Sequence, residues 1–299
     1  YGFRPGRNCE MAIVKLLEYF NDGYLWVVDI DLEKFFDTVP QDKLMSLLHN
    51  MIDDPDTESL IRKFLQAGIM DKGEFIPSET GTPQGGNLSP LLSNIMLNEL
   101  DKELESRGLN FVRYADDCII TVKSGAAAKR VMQSVGSWIE RKLGLKVNAS
   151  KSKITRPTNL KYLGFGFWKD GRAGRWKARP HKDSIKRFKD KLKKLTQRKW
   201  SISFTQRLEK LNQVIRGWIN YFLIGSMKGV LTEIDSRLRT RLRMIIWKMW
   251  KVPSKRQWGL QKLGINKDLA RLTSYCGDRY YFVATKTCVQ RAISKDILT

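Results

Sequence analysis

Along the first half of the chain, apolar residues recur first at helical and then at strand spacing, and the two alternate. Met11, Ile13, Val14, Leu16 and Leu17 predict a helix over residues 9–20, and a strand follows over 25–30. Further helices are predicted over 41–51, 60–67 and 91–106. Residues 110–113 and 118–122 have strand composition, and Tyr114 to Asp117 between them form the tight connection of a hairpin. A helix over 126–143 is ended by Gly144. Helices segregated to one side of a small antiparallel sheet make an α+β unit. Residues 151–180 are rich in Gly, Lys, Arg and aromatics and read as a turn-laden passage. Beyond residue 182 the spacing is helical throughout. Residues 184–196 are basic and amphipathic, and 203–222 repeat Phe204, Leu208, Leu211, Ile215 and Trp218. Residues 231–250 set Leu238, Leu242, Ile245, Ile246 and Met249 to one side, with Arg237, Arg239, Arg241 and Arg243 spaced around. Trp218 and Tyr221 are expected in the core of this second region. The pattern divides the chain at 1–180 and 181–299.

Composition adds limits. With 299 residues, 42% of them hydrophobic, the chain has the means to bury two cores, and no run of about eighteen apolar residues suggests a membrane span. The cysteines Cys9, Cys118, Cys276 and Cys288 are scattered without metal-ligand spacing, as in a reducing, cytoplasmic setting. The only histidines, His49 and His181, argue against a zinc-bound or histidine-dependent nuclease within these residues. The chain does not start with Met and carries no secretory segment, which predicts a fragment of a longer protein. Charge is more telling. Residues 1–150 carry 17 Lys+Arg against 22 Asp+Glu, whereas residues 151–299 carry 37 against 9. So basic a half predicts a polyanionic partner.

Two acidic sites and one loop carry the candidate chemistry. Asp116 and Asp117 sit side by side at the hairpin tip, where two carboxylates repel unless cations join them. Upstream, Asp29 and Asp31 lie two apart on an extended segment and share one face. The aromatic pair Phe35–Phe36 follows. Between the two sites runs Gly81-Thr82-Pro83-Gln84-Gly85-Gly86-Asn87-Leu88-Ser89-Pro90, whose glycines admit close approach of a ligand to the backbone. The helix start after it favours anions.

In this order, the strand aspartates, the Pro-Gln-Gly-Gly loop and the Tyr-Ala-Asp-Asp hairpin resemble the reverse transcriptase family, closely its group II intron branch. Tyr1-Gly2-Phe3-Arg4-Pro5-Gly6-Arg7 is similar to the block before the first catalytic strand. Asn148 to Ile154 is similar to the lysine block, and Tyr162-Leu163-Gly164-Phe165 to the primer grip. Arg207 to Phe222 resembles the maturase (thumb) segment. The resemblance implies an α+β right-hand palm followed by an all-helical thumb/maturase domain, with the N-terminal fingers segment missing. It implies an RNA-directed DNA polymerase that uses two Mg²⁺ ions, or Mn²⁺, and acts on an RNA template, a DNA primer and dNTPs. Group II intron RNA is the implied further partner, in splicing and mobility. By motif position Asp31, not Asp29, is the first catalytic aspartate, and Asp116 and Asp117 complete the metal set with the Leu32 carbonyl.

Phe36 falls where the family excludes a 2′-hydroxyl, although it also reads as a plain core aromatic. Gln84, with Pro83 fixing its loop, would bond the incoming nucleotide. Lys151 would protonate leaving pyrophosphate or simply contact phosphate. Tyr162, Leu163 and Gly164 would press on the primer end, and Arg4 and Arg7 would touch template. Two other readings remain: a domesticated or defence-associated reverse transcriptase, and an RNA-binding splicing factor with a decayed polymerase site.

Overall fold

Asn8 starts the first helix, α1 (Cys9–Asn21), its side chain accepting the Met11 amide at 2.8 Å. The computed structural model describes residues 1–71, 74–76, 80–83 and 85–298, and the chain divides into two compact units, Tyr1–Ala178 and Arg179–Thr299. In the first unit α1 leads to β1 (Trp26–Ile30), the short α2 (Phe35–Thr38), α3 (Gln41–His49) and α4 (Pro55–Gln66). That last helix begins five residues before the apolar pattern does. Asp54 caps it and Pro55 opens it, and neither signal is apolar. A hairpin, β2 (Ile69–Asp71) and β3 (Glu74–Ile76), precedes α5 (Ser89–Ser106), which runs into β4 (Asn110–Tyr114) and β5 (Asp117–Val122). Then α6 (Gly125–Trp138) passes into a π-helical turn, Ile139–Leu143, stopped by Gly144 at φ 68°.

The main sheet has the order β4-β5-β1-β6, with β6 at Lys153–Thr155 and all neighbours antiparallel. Side chains alternate across it. Val28 and Ile30 of β1 and Cys118, Ile120 and Val122 of β5 point into a core with Leu44 and Leu48 of α3, Met96 and Leu100 of α5 and Val135 of α6. The opposite face of β1 carries Val27 and Asp29, so one side of the strand is wholly apolar and the other becomes acidic toward its C-terminal end.

The region expected to be mere turns is instead a three-stranded sheet of β7 (Lys161–Tyr162), β8 (Phe165–Lys169) and β9 (Trp176–Pro180). Leu163 (φ 47°) and Gly164 (φ 79°) make its first turn, which is the backbone that two-residue hairpins favour. Phe165 and Phe167 alternate inward, and Phe167 meets Phe20 of α1 edge-on at 5.2 Å. The intervening Gly166 and Trp168 are not polar, so no apolar–polar alternation shows in the sequence.

The second unit is helical: α7 (Lys182–Leu195), α8 (Phe204–Tyr221), α9 (Lys228–Met249), α10 (Pro253–Lys262), α11 (Lys267–Ser274), α12 (Tyr280–Thr285) and α13 (Thr287–Ala292). Of the last four, α12 and α13 have six residues each, fewer than two helical periods, so the sequence does not announce them. Trp218 stacks on Phe188 at 4.4 Å as expected of a core residue, but Tyr221 is 48% exposed. Among the described residues no helix is long and apolar enough to cross a membrane.

Candidate active site

The sheet register brings the expected aspartates together. Along β1 and β5, Trp26 faces Val122 and Ile30 faces Cys118, so one further step sets Asp31 opposite Asp117. On the other side, Asp29 of β1 faces Lys153 of β6, and two further steps set Lys151 opposite Asp31. Its Nζ lies 3.5 Å from Asp31 Oδ1. Asp116 sits in the β4–β5 turn, between the paired residues Tyr114 and Asp117. Asp31 thus stands between an acid and a base, on the face of the sheet that also carries Asp29.

The backbone of Asp31 is stapled by a turn that the sequence left unassigned. Ser152 Oγ accepts the Asp31 amide at 3.0 Å, and Asn148 donates its own amide to the Asp31 carbonyl at 2.8 Å. The Asn148 side chain caps the same turn by accepting the amides of Ser150 and Lys151. Asn followed two and four residues on by Ser is the signal that could have disclosed it. Leu32 pairs with Val147 in an isolated bridge, and its side chain is buried. Tyr162 is buried rather than presented to a ligand. Its hydroxyl lies 3.3 Å from the Val112 carbonyl and 3.4 Å from that of Asp117, beneath the hairpin.

Charge in this cluster is uncompensated. Burial, then Asp116, Asp29 and Asp31, push the Asp117 carboxyl up to about 6, and Lys151 offsets only part. Burial also raises Asp29, against the pull of Lys153 at 3.8 Å. Asp31 Oδ1 is a buried oxygen with no hydrogen bond. Among the described residues, no group of three or more His, Cys, Asp or Glu side chains is already gathered as a metal-holding set. The donor chemistry nonetheless fits a hard divalent cation, because a carboxylate oxygen with no hydrogen bond, balanced only by the Lys151 ion pair and set beside raised, mutually repelling carboxylates, is the environment such an ion stabilises.

The small-residue loop docks on the segment after β1. The Thr82 amide donates to the Phe36 carbonyl at 2.6 Å, and the Gly81 amide to that of Val39 at 2.8 Å. Gly81, at φ 83°, leaves room for no side chain, since a Cβ there would lie 2.5 Å from the Phe36 oxygen. Pro83 O accepts from the Gly86 amide and from Ser89 Oγ. The loop is therefore anchored at its Gly81–Thr82 end beside Phe36 and at Pro83 to the start of α5, and Gln84 lies outside the described residues. Phe36 itself is half-buried, edge-on to the buried Phe35 at 5.3 Å.

Several of the arginines bond other groups of the protein. Arg4 reaches Asp101 at 2.8 Å and Asn98 at 3.2 Å. In the second unit Arg243 is buried and donates to the Ile293 carbonyl, and Arg241 binds Thr196 Oγ1 at 2.6 Å. Arg239 pairs with Asp235 and Arg237 with Glu233. Buried Arg207 ties down the carbonyls of Leu195, Gln197 and Trp200, and buried Arg256 that of Trp250. Helical spacing shows which residues share a face but not whether a guanidinium finds a carbonyl there. Six exposed cations of this unit lie on α7 alone: Lys182, Lys186, Arg187, Lys191, Lys193 and Lys194. Four lysines of that helix, Lys182, Lys186, Lys189 and Lys193, rim a groove of about 450 Å³ floored by Ile185, Leu192, Ile234 and Leu238.

Two family models match this chain. One, described as reverse transcriptase (RNA-dependent DNA polymerase), covers residues 1–167, and the other, the group II intron maturase-specific domain, covers residues 185–264. A COX1/OXI3 intron 2 protein of Saccharomyces cerevisiae is 28% identical over 81% of this chain and 34% of its own length. The group II intron-encoded protein LtrA of Lactococcus lactis is 39% identical over 40% of this chain and 20% of its own. The chain thus spans about a third or less of either relative. Among solved structures, apo telomerase from Candida tropicalis aligns over 97% of this chain and 56% of that chain at 12% identity, with a TM-score of 0.49.

Proposed function

Because the chain belongs to the reverse transcriptase family, we propose that it is the polymerase and maturase portion of a group II intron-encoded protein, extending a DNA primer on an RNA template. The observation that carries this is the register that sets Asp31 opposite Asp117, with Asp116 at the adjoining turn and Lys151 on the other flank. Asp31, Asp116 and Asp117 would hold two Mg²⁺ ions, joined by the Leu32 carbonyl. When bound, such ions supply charge stabilisation to the attacking and leaving oxygens of an in-line phosphoryl displacement.

The protein's own groups do the rest. Strand β1 and the Asn148–Ser152 turn fix the backbone of Asp31, and the hairpin fixes that of Asp116 and Asp117. Lys151, whose side chain is 67% exposed, reaches out from Asp31 to meet a phosphate and to donate a proton to departing pyrophosphate. Gln84 would bond the incoming nucleotide, and Phe36 would lie beneath its sugar. The test is primer extension on an RNA template with dNTPs and Mg²⁺. Wild-type activity and its loss in Asp31→Asn are expected, and Asp31→Asn extending at the wild-type rate would remove the assignment.

The match of residues 185–264 to the maturase model and the basic surface of α7 support binding of structured intron RNA by the second unit. A-form RNA offers phosphates and 2′-hydroxyls rather than readable major-groove edges, which suits a lysine-rimmed helix. Changing Lys186, Arg187, Lys193 and Lys194 to Gln is expected to weaken RNA binding and to reduce its log–log salt slope by about 0.7–0.9 for each phosphate no longer neutralised. The same experiment on Arg237 and Arg239, already paired to acids, is expected to change the slope little.

A further inference from the structure

In the turn that carries Asp116, the left-handed position falls on an alanine. Ala115 stands at φ 56°, a left-handed backbone that two-residue hairpins ordinarily give to Gly, Asn or Asp. Something outside the turn must hold it. Arg113, buried at 3% exposure two residues earlier, donates from Nη1 to the Ala115 carbonyl at 2.7 Å and to Asn94 Oδ1 at 3.2 Å. Its other two nitrogens fork onto Asp101, with Nε to Oδ1 and Nη2 to Oδ2 both at 2.6 Å. Asn94 and Asp101 are seven residues apart on α5, two turns along one face. The Asn94 amide donates to the carbonyls of Gly2 and Phe3, and Gly2 is pressed so closely beneath the turn that a Cβ would lie 2.7 Å from the Ala115 nitrogen.

We propose that Arg113 is a positioning residue, a guanidinium strut between α5 and the Ala115 carbonyl that holds the hairpin tip in its left-handed form and so aims Asp116 and Asp117. The aiming part rests on the polymerase reading above, and the strut itself does not. Lysine would not replace it, because a point charge cannot bind both Asp101 oxygens and the carbonyl at once.

The test uses the full-length protein, with amide hydrogen exchange across 110–120 without divalent ions and Mn²⁺ binding followed by electron paramagnetic resonance. Arg113→Lys is expected to speed exchange at the tip and to weaken Mn²⁺ binding about 10–100-fold, as loss of a ligand-orienting partner does. The rate of extension should fall while dNTP KM stays near wild type. Ala115→Gly, which relaxes the backbone demand, is expected to restore part of the Mn²⁺ affinity when added to Arg113→Lys. Asn94→Ser, a milder cut in the same network, should fall between. Leu104→Ala on the same helix should lower stability and leave Mn²⁺ affinity unchanged. A folded Arg113→Lys with wild-type exchange and Mn²⁺ affinity overturns the strut. So does an equal loss of affinity in Leu104→Ala. Wild-type protein that neither binds Mn²⁺ nor extends a primer overturns the polymerase reading and the aiming role with it. Unchanged tip exchange in Arg113→Lys would separately remove the strut.

Discussion

Asp117→Asn is expected to cut primer extension by several orders of magnitude while RNA binding by the second unit stays intact. The asparagine keeps the shape of the side chain and loses the charge that a divalent ion needs, at the position where β5 faces Asp31. Stability gives a second, independent readout. Asp117 is raised from 3.8 to about 6, first by burial and then by its acidic neighbours. An acid raised by folding binds its proton more tightly in the native state. Its ionisation therefore costs stability progressively as pH rises from about 4 to 6, and the cost is fully present above 6. In EDTA at pH 7.5 the variant should consequently melt higher than wild type, and the difference should shrink as pH falls toward 4. Solvent still reaches Asp117, so the gain is modest. Adding Mg²⁺ should raise the melting temperature of wild type more than that of the variant, since only a native-state ligand stabilises by mass action. Equal Mg²⁺ responses in both proteins would place the ion elsewhere.

Phe36→Val is expected to raise ribonucleotide use relative to dNTPs by about 10–200-fold, the range over which a pocket discriminates a small added group. The geometry motivates it. The Phe36 carbonyl receives the Thr82 amide, so the small-residue loop docks directly on this residue, and its ring is only half-buried. A ring serving solely as core filler would give a different result. Truncation would then cost stability and depress both activities together. Measuring the rNTP/dNTP ratio beside the melting temperature separates the two, and an unchanged ratio in a folded variant assigns sugar selection to another side chain.

The acidic site is legible because strand period and residue chemistry agree there. Asp29 and Asp31 share a face by simple alternation, and Asp116–Asp117 fall between two apolar runs. What cannot be read is the pairing of these strands, since β1, β5 and β6 are far apart in sequence and nothing local states which register they adopt. Lys151 illustrates this, as only the β1–β6 register shows it abutting Asp31. Ser152 and Arg113 escape notice for a related reason. A hydroxyl or guanidinium inside a motif looks solvent-directed until the carbonyl it serves is in view. The two-residue β7 and the six-residue α12 and α13 hide because they are too short for a period to establish itself.

The second unit divides its two kinds of cation by job. Arg207, Arg243 and Arg256 are buried on backbone carbonyls, and in the first unit Arg113 is buried as well, whereas no lysine among the described residues is buried. Guanidinium suits the interior because its fixed fork satisfies several oxygens and sheds water more readily than an ammonium does. The formal charge of this region therefore overstates what a polyanion meets, since part of it is mortar. It follows that the two cations differ in how freely they can be altered. The exposed Lys186, Lys193 and Lys194 of α7 should accept an amine-directed acyl reagent while the fold stays closed. A dicarbonyl reagent directed at the interior arginines would first have to wait for the fold to open, so its rate of uptake becomes a clock for unfolding.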